Sequence, residues 1–143
     1  MSLQPGNSKL GPLFYQWSVL AGDTCPGKTD ICFELCYARK AHFTSPVVLN
    51  AHTRNWETGN TEDFISWMCT EIRRSCATVV RIHVAGDFFD LAYTERWIEI
   101  VRRNRRTTFL TYTRSWRDET IYPGLKRMAR LSNMFLWFSC DSQ

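Results

Sequence analysis

The sequence predicts an α/β fold in which a parallel four-stranded sheet with alternating helices forms a partial (half) TIM-like barrel. Four short segments are rich in β-branched and aromatic residues, which favour strands. Three segments with apolar residues at helical spacing separate them. Because consecutive parallel strands need a crossover between them, this alternation predicts a parallel sheet with right-handed connections.

The predicted strands cover residues 13–20, 78–85, 107–113 and 134–139. A cysteine-rich loop directly follows the first strand. The second strand ends at Gly86-Asp87, which is typical of a buried strand that runs into a turn.

Three predicted helices connect these strands. The first begins at Thr61, a residue type suited to cap a helix N-terminus. The second covers residues 91–104, and the third covers residues 122–131 with Pro123 in its first turn. The stretch 38–60 shows no clear pattern and is predicted as a long loop.

Length and composition predict one globular domain over residues 1–143. The chain is 44% hydrophobic and 22% charged, and no apolar run approaches the ~20 residues of a membrane span. Its first residues lack the pattern of a signal peptide, so we expect a cytoplasmic protein without membrane contact. In a reducing cytosol six cysteines are thiols or metal ligands more often than disulfides.

Three cysteines fall within twelve residues and form the most informative feature of the chain. Cys25, Cys32 and Cys36 lie in a stretch whose Pro, Gly and Asp residues predict irregular structure. Thiolates this close in sequence can converge on one metal centre without help from distant strands. The alternatives are coincidence or a redox-active disulfide.

The predicted topology places several polar segments at one edge of the sheet. In parallel sheets the functional residues lie beyond the carboxyl ends of the strands. The segments expected at this edge are the cysteine loop, Gly86-Asp87, Arg114-Ser115 and Cys140-Asp141.

Cys140 is a candidate fourth ligand because it follows the last strand. With four cysteines the protein would hold an electron-transfer or structural [4Fe–4S] cluster, or a tetrahedral zinc ion, although the usual paired C-x2–4-C spacing of zinc sites is missing. The other interpretation of Cys140 is a buried residue that packs as a small hydrophobe. Packing is also the expected role of Cys69 and Cys76.

The formal charge is +4, and four arginines cluster at the end of the second predicted helix. They are Arg102, Arg103, Arg105 and Arg106. They predict either a solvated helix end or the phosphate-binding patch of a nucleic-acid-binding module. Since they precede a strand, we expect them at the rim opposite the cysteine loop.

Four motifs resemble those of the phage "gene product 88" family. They are Thr-Cys-Pro-Gly at 24–27, Cys-Tyr-Ala at 36–38, Arg-Ile-His-Val-Ala-Gly-Asp-Phe-Phe at 81–89 and Thr-Tyr-Thr-Arg-Ser at 111–115. The resemblance covers residues 13–141 and implies a phage- or plasmid-encoded protein. That family is in turn similar to radical S-adenosylmethionine (SAM) enzymes.

The second resemblance implies a [4Fe–4S] cluster on Cys25, Cys32 and Cys36, with the fourth iron left open for SAM. An electron donor would reduce the cluster, and SAM cleavage would give a radical that abstracts hydrogen from a small-molecule or macromolecular substrate. Gly86 and Asp87 correspond to the turn that contacts the SAM amine. Independently of the resemblance, Tyr37 directly follows the last cysteine and would stack on a bound cofactor, hydrogen-bond to it, or simply anchor the loop as an aromatic residue.

The chain departs from the radical SAM pattern in two respects. Its cysteines follow C-x6-C-x3-C instead of C-x3-C-x2-C, and four strands are predicted where that fold has six or more. A half barrel leaves sheet edges exposed, which a homodimer or the long loop would cover. The sequence identifies neither a substrate nor a catalytic residue.

Two further residues each admit two interpretations. His83 is an acid–base candidate, but its position inside a strand favours a core histidine with a local hydrogen bond. Arg114 would bind a carboxylate or phosphate, or form an ion pair with Asp87 or Asp141.

Overall fold

The protein is built around a five-stranded, mostly parallel sheet, seen in a computed structural model that describes residues 3–6, 9 and 11–141. The strands are β1 (Gln4–Pro5), β2 (Phe14–Trp17), β3 (Val79–Ile82), β4 (Thr108–Thr113) and β5 (Met134–Phe138). The helices are α1 (Asp30–Leu35), α2 (Pro46–Gly59), α3 (Phe64–Arg74), α4 (Leu91–Arg103) and α5 (Tyr122–Met128). The strands lie side by side in chain order.

The prediction of a four-stranded, fully parallel sheet is wrong in one strand. Strands β2 to β5 are parallel, as predicted, but β1 adds a fifth strand antiparallel to β2. β1 is only two residues long and contains a proline, so the sequence carries no alternation that would reveal it. Within the described residues β1 and β5 are the two outer strands, and the sheet does not close into a barrel.

Two helices lie where the sequence predicts irregular structure. Helix α2 occupies most of the predicted loop 38–60; its N-cap Ser45 accepts a hydrogen bond from Val48 N at 3.4 Å, and Pro46 opens its first turn. The short helix α1 lies inside the cysteine segment. Helix α3 begins at Phe64, three residues after the predicted cap. Thr61 lies in the preceding turn, where its hydroxyl donates to the carbonyl of Thr58 at 2.8 Å and does not cap the helix.

The core lies on one face of the sheet, beneath helices α3, α4 and α5. In β3 and β4 buried residues alternate with partly or fully exposed ones, so each strand turns every second side chain into the core. The largest fully buried side chains include Trp17, Phe64, Met68, Ile82, Tyr93, Trp97, Phe109 and Leu125. No helix in the described part of the chain has the length and apolar character needed to cross a bilayer.

The turn after β3 packs tightly against the segment that leads into the cysteines. Gly86 has a φ of +75°, and a Cβ there would lie 2.6 Å from Thr24 Oγ1 and against Val19. Only glycine combines this backbone conformation with this close approach. The contact fixes the start of the cysteine segment over the carboxyl end of β3.

We predict that Gly86→Ala destabilises the protein by about 3 kcal/mol or more, because left-handed strain adds to overpacking. The matched control is Gly11→Ala, where φ is +98° and nothing lies within 4 Å of a Cβ. This control should lose only about 1–2 kcal/mol, the cost of the backbone conformation. Urea unfolding measures both, and equal losses would show that the contact with Thr24 and Val19 is slack.

Candidate metal centre

The cysteine segment combines a turn with one short helix. Cys25 precedes the helix, and its carbonyl accepts from Lys28 N at 3.2 Å in a turn. Thr29 caps α1 by accepting from Cys32 N at 3.1 Å, and Cys36 forms the C-cap of the same helix. Residues four apart on a helix share one side, so α1 brings Cys32 and Cys36 to the same side. The C-x3-C part of the spacing therefore places two of the three thiols on one side of α1.

All three thiols line one cavity of about 210 Å³ beyond the carboxyl ends of β3 and β4. We call it the thiol cavity. Its lining includes every site residue that the sequence predicts, namely Cys25, Cys32, Cys36, Tyr37, Gly86 and Asp87. The cysteines are free and partly buried. Among the described residues, however, no three side chains of His, Cys, Asp or Glu stand closely enough to hold a single metal ion.

Burial controls the protonation of the first cysteine. It raises the pKa of Cys25 to about 12, with smaller contributions from the nearby Asp87, Cys36 and Cys32. Cys25 is therefore a neutral thiol at pH 7 while no metal is bound. Cysteine binds metal as the thiolate, so metal binding at Cys25 would release a proton.

The Asp87 carboxylate lies inside the protein and is fully engaged there. It accepts hydrogen bonds from Phe88 N at 2.8 Å, Thr113 Oγ1 at 2.6 Å, Arg114 N at 2.8 Å and Ser115 N at 3.2 Å. Burial raises the pKa of Asp87, and these bonds oppose the rise. The carboxylate thereby ties the turn after β3 to the turn after β4. Its predicted contact with a SAM amine stays a prediction.

Tyr37 attaches the other end of the cysteine segment to the sheet. Its hydroxyl donates to the carbonyl of Val84, just beyond β3. Its ring packs edge-on against Phe43 at 5.6 Å between centroids and remains half exposed at the mouth of the thiol cavity. The residue is thus placed to contact a bound group while it holds Cys36 in position.

Arg114 pairs with Asp141, one of the two partners that the sequence suggests for it. The guanidinium lies 2.6 Å from Asp141, which also accepts from Thr29 Oγ1 at 2.5 Å. The hydrogen bond from Thr29 and the charge of Arg114 lower the pKa of the Asp141 carboxyl. The last described residue is thereby bound to the N-cap of α1 and to the end of β4.

Three buried polar atoms around the thiol cavity have no partner within the protein. They are Arg81 Nε, His83 Nδ1 and Arg114 Nη1, and all three residues line the cavity. Buried polar groups are normally hydrogen-bonded, so three exceptions around one cavity make it a candidate ligand site. The cavity is consequently suited to a polar, electron-rich group.

A family model described as Gene product 88 matches residues 2–143. The chain belongs to this family. The Gene 88 protein of Mycobacterium phage L5 is 32% identical over 131 residues, which cover 84% of this chain and 53% of the relative. The Gene 88 protein of Mycobacterium phage D29 is 30% identical over the same length and coverage.

These comparisons confirm the predicted family, and the phage relatives support the predicted phage origin. The chain spans about half the length of the curated relatives it matches. No solved structure matches it significantly.

The remaining candidates lie outside the thiol cavity. Cys140 is exposed, with Sγ 4.0 Å from the Phe138 carbonyl. Cys69 accepts from Asn104 Nδ2 at 3.2 Å, and Cys76 is exposed. The four clustered arginines line a groove with Arg73 and Thr107, near the amino end of β4, as the predicted topology requires.

Sequence reasoning missed two features of this region. Arg81 is the first: it is the one charged residue in the apolar β3, and that interruption of the Val-Val-Arg-Ile run was the available signal. The second is a neighbouring cavity of about 430 Å³ beside α2, lined by His42, Phe43 and His52 and sharing Val84 with the thiol cavity. It escaped notice because α2 was predicted as a loop.

His83 is a core histidine, with one face toward the thiol cavity. It is buried, its Nε2 lies 3.0 Å from the Tyr93 hydroxyl, and its φ is +63°. Burial lowers the pKa of His83 from 6.5 to about 3, so the folded protein holds it neutral at pH 7.

We predict that His83 makes the metal-free protein less stable as the pH falls below 6.5, since the unfolded chain then binds a proton that the folded chain excludes. In His83→Asn the slope of unfolding free energy against pH should drop by up to about 1.4 kcal/mol per pH unit. Asparagine tolerates the positive φ. Urea unfolding between pH 8 and about 4.5 measures this slope. The range stays above most carboxyl pKa values, so few carboxyl groups titrate within it.

The two unfolding curves should run parallel above pH 7.5 or so, where histidine is neutral in both states. Equal slopes for wild type and variant below pH 6.5 would contradict the buried, neutral state of His83.

Proposed function

We propose that the protein is an iron–sulfur enzyme of the radical SAM type, with a [4Fe–4S] cluster on Cys25, Cys32 and Cys36. The observation that carries the proposal is the thiol cavity, where the three cysteines meet Gly86, Asp87 and Tyr37. Bound there, a reduced cluster and SAM would supply a carbon radical for hydrogen abstraction. An external electron donor and a cytoplasmic location with reduced thiols belong to the proposal.

A cluster does not require the close ligand spacing of a single-ion site. No three candidate ligands among the described residues are close enough for one metal ion. A [4Fe–4S] cluster instead takes each thiolate on a different iron, so its ligand sulfurs stand farther apart than in a mononuclear site. The cavity of about 210 Å³ between the thiols offers room for such a group.

The unpartnered polar atoms suit the amino-acid part of SAM. Arg81 and Arg114 each have one buried guanidinium nitrogen without a partner, while Arg114 Nη2 pairs with Asp141. His83 Nδ1 is also unpartnered. A guanidinium is the side chain best matched to a carboxylate. In this proposal these residues hold the SAM carboxylate, while the half-exposed ring of Tyr37 contacts the nucleoside.

The larger cavity next to the thiol cavity provides a place for a substrate. It holds about 430 Å³ and combines apolar residues of α2 with His42 and His52. Its size lies in the range of small-molecule sites. The proposal also includes a partial barrel, in which strands β2 to β5 form the parallel half. A homodimer is one way to cover the edges of this sheet.

The direct test is anaerobic reconstitution with iron and sulfide. We expect a brown protein with about four irons per chain and thiolate-to-iron absorption in the visible range. Cys25→Ala, Cys32→Ala and Cys36→Ala should each lose most of the iron. The matched controls Cys69→Ala and Cys76→Ala should keep it, since both residues lie outside the thiol cavity. A colourless wild type, or equal iron in all variants, would refute the proposal.

A second test separates an open iron from a fully ligated cluster with Cys140 as fourth ligand. Cys140 is exposed and absent from the lining of the thiol cavity, so we expect Cys140→Ala to keep its cluster. SAM should then alter the electron paramagnetic resonance signal of the reduced cluster in wild type and variant alike. Loss of the cluster in Cys140→Ala, with no SAM effect on the wild type, would establish the electron-transfer alternative.

A further inference from the structure

The second face of the sheet carries large aromatic side chains that nothing in the described chain covers. Tyr112, Phe135 and Trp137 are 51%, 52% and 45% exposed. Their rings are stacked: Tyr112 lies 4.9 Å from Trp137 at 18°, and Phe135 lies 6.2 Å from Trp137 at 20°. We call these three residues the aromatic face.

The strand register explains why the rings lie together. β4 and β5 are parallel, and their register pairs Tyr112 with Trp137 and Leu110 with Phe135. Alternate residues of a strand point to the same face, so all these side chains project away from the helices. The rings therefore belong to the regular part of the sheet and not to a mobile loop.

Among the described residues, Arg81 is the cation that lies over a ring of the aromatic face. Arg81 pairs with Leu110 across β3 and β4, and its guanidinium lies 5.9 Å from the ring of Tyr112. Strands β1 to β5 contain no Asp or Glu and no other charged residue. Within the described residues no ion pair includes Arg81. The face is thus aromatic and positively charged.

This combination fits a single-stranded nucleic acid. Exposed bases stack on aromatic side chains, and a neighbouring arginine contacts the phosphates; flat β-sheet faces with two or three such rings are a recurring solution for RNA. A duplex keeps its bases stacked on one another and cannot use the rings. Two copies packed face to face would bring two Arg81 cations together without an acid, which disfavours a homodimer through this face.

We propose that the aromatic face and Arg81 bind single-stranded nucleic acid, with bases stacked on Tyr112, Phe135 and Trp137. The proposal goes beyond the iron–sulfur function and needs no bound cluster, although Arg81 and Tyr112 also line the thiol cavity. It also differs from a phosphate patch on the clustered arginines, which line a groove near the opposite end of the strands.

The test uses the full chain, metal-free and reconstituted, with fluorescently labelled single strands of DNA and RNA of about 12 nucleotides. Fluorescence anisotropy should show binding to the single strands and markedly weaker binding to a duplex of the same length. Tyr112→Ala and Trp137→Ala should each weaken binding about tenfold or more, the effect of losing one base stack. Trp137→Phe should keep the affinity, since it keeps a ring.

Tyr122→Ala is the matched control. Tyr122 is another partly exposed tyrosine with a cation over its ring, Lys126 at 4.9 Å, but it lies on α5, away from the aromatic face. Its affinity should match the wild type. Arg81→Gln should lower the slope of log affinity against log salt by about 0.7, the value for one phosphate contact to a single strand. Urea midpoints verify that each variant is folded.

Several results would overturn the proposal. They are absence of binding, equal affinity for duplex and single strand, or unchanged affinity in Tyr112→Ala and Trp137→Ala. Binding lost only in Arg105→Ala and Arg106→Ala would move the site to the arginine groove. A concentration-dependent dimer that Trp137→Ala dissociates would show that a second copy covers the aromatic face.

Discussion

The hydrogen bonds to the buried Asp87 carboxylate hold together the edge of the sheet where the carboxyl ends of β3 and β4 lie. A carboxylate without hydrogen bonds would be too costly to bury, and four donors meet this one from two different turns. Three of them belong to residues 113–115 at the end of β4. The carboxyl ends of β3 and β4 are therefore held together by a polar contact that is satisfied only in this arrangement.

Close packing at two glycines then positions the cysteine segment over the carboxyl ends of β3 and β4. Gly86 admits Thr24 against the turn after β3, and Gly27 lies against the carbonyl of Arg114, where a Cβ would clash with backbone. The bond from Thr29 to Asp141 adds a link between residues 112 positions apart. The thiol cavity is thus shaped by long-range contacts, although the cysteines themselves are local in sequence.

These contacts explain what the sequence could and could not predict. Strands β2 to β5 and helices α3 to α5 follow from apolar periodicity because each buries one face in the common core. Helix α2 lacks that signal, since its buried residues are Asn55 and Gly59. The rule that functional residues lie at carboxyl ends of parallel strands placed Gly86 and Asp87 beside the cysteines. The same rule could not show that the Asp87 carboxylate accepts four hydrogen bonds from within the protein.

The aromatic face escaped prediction for the opposite reason. Large rings in a strand are ordinarily assigned to a core, and only the position of the helices reveals that Tyr112 and Trp137 remain uncovered. Arg81 and Tyr112 line the thiol cavity as well as this face, so the two regions meet. If both proposals hold, a single-stranded nucleic acid whose bases stack on the rings would bring one nucleotide to the mouth of the thiol cavity. Both proposals use the guanidinium of Arg81, so a phosphate and the carboxylate of a bound cofactor would compete for it.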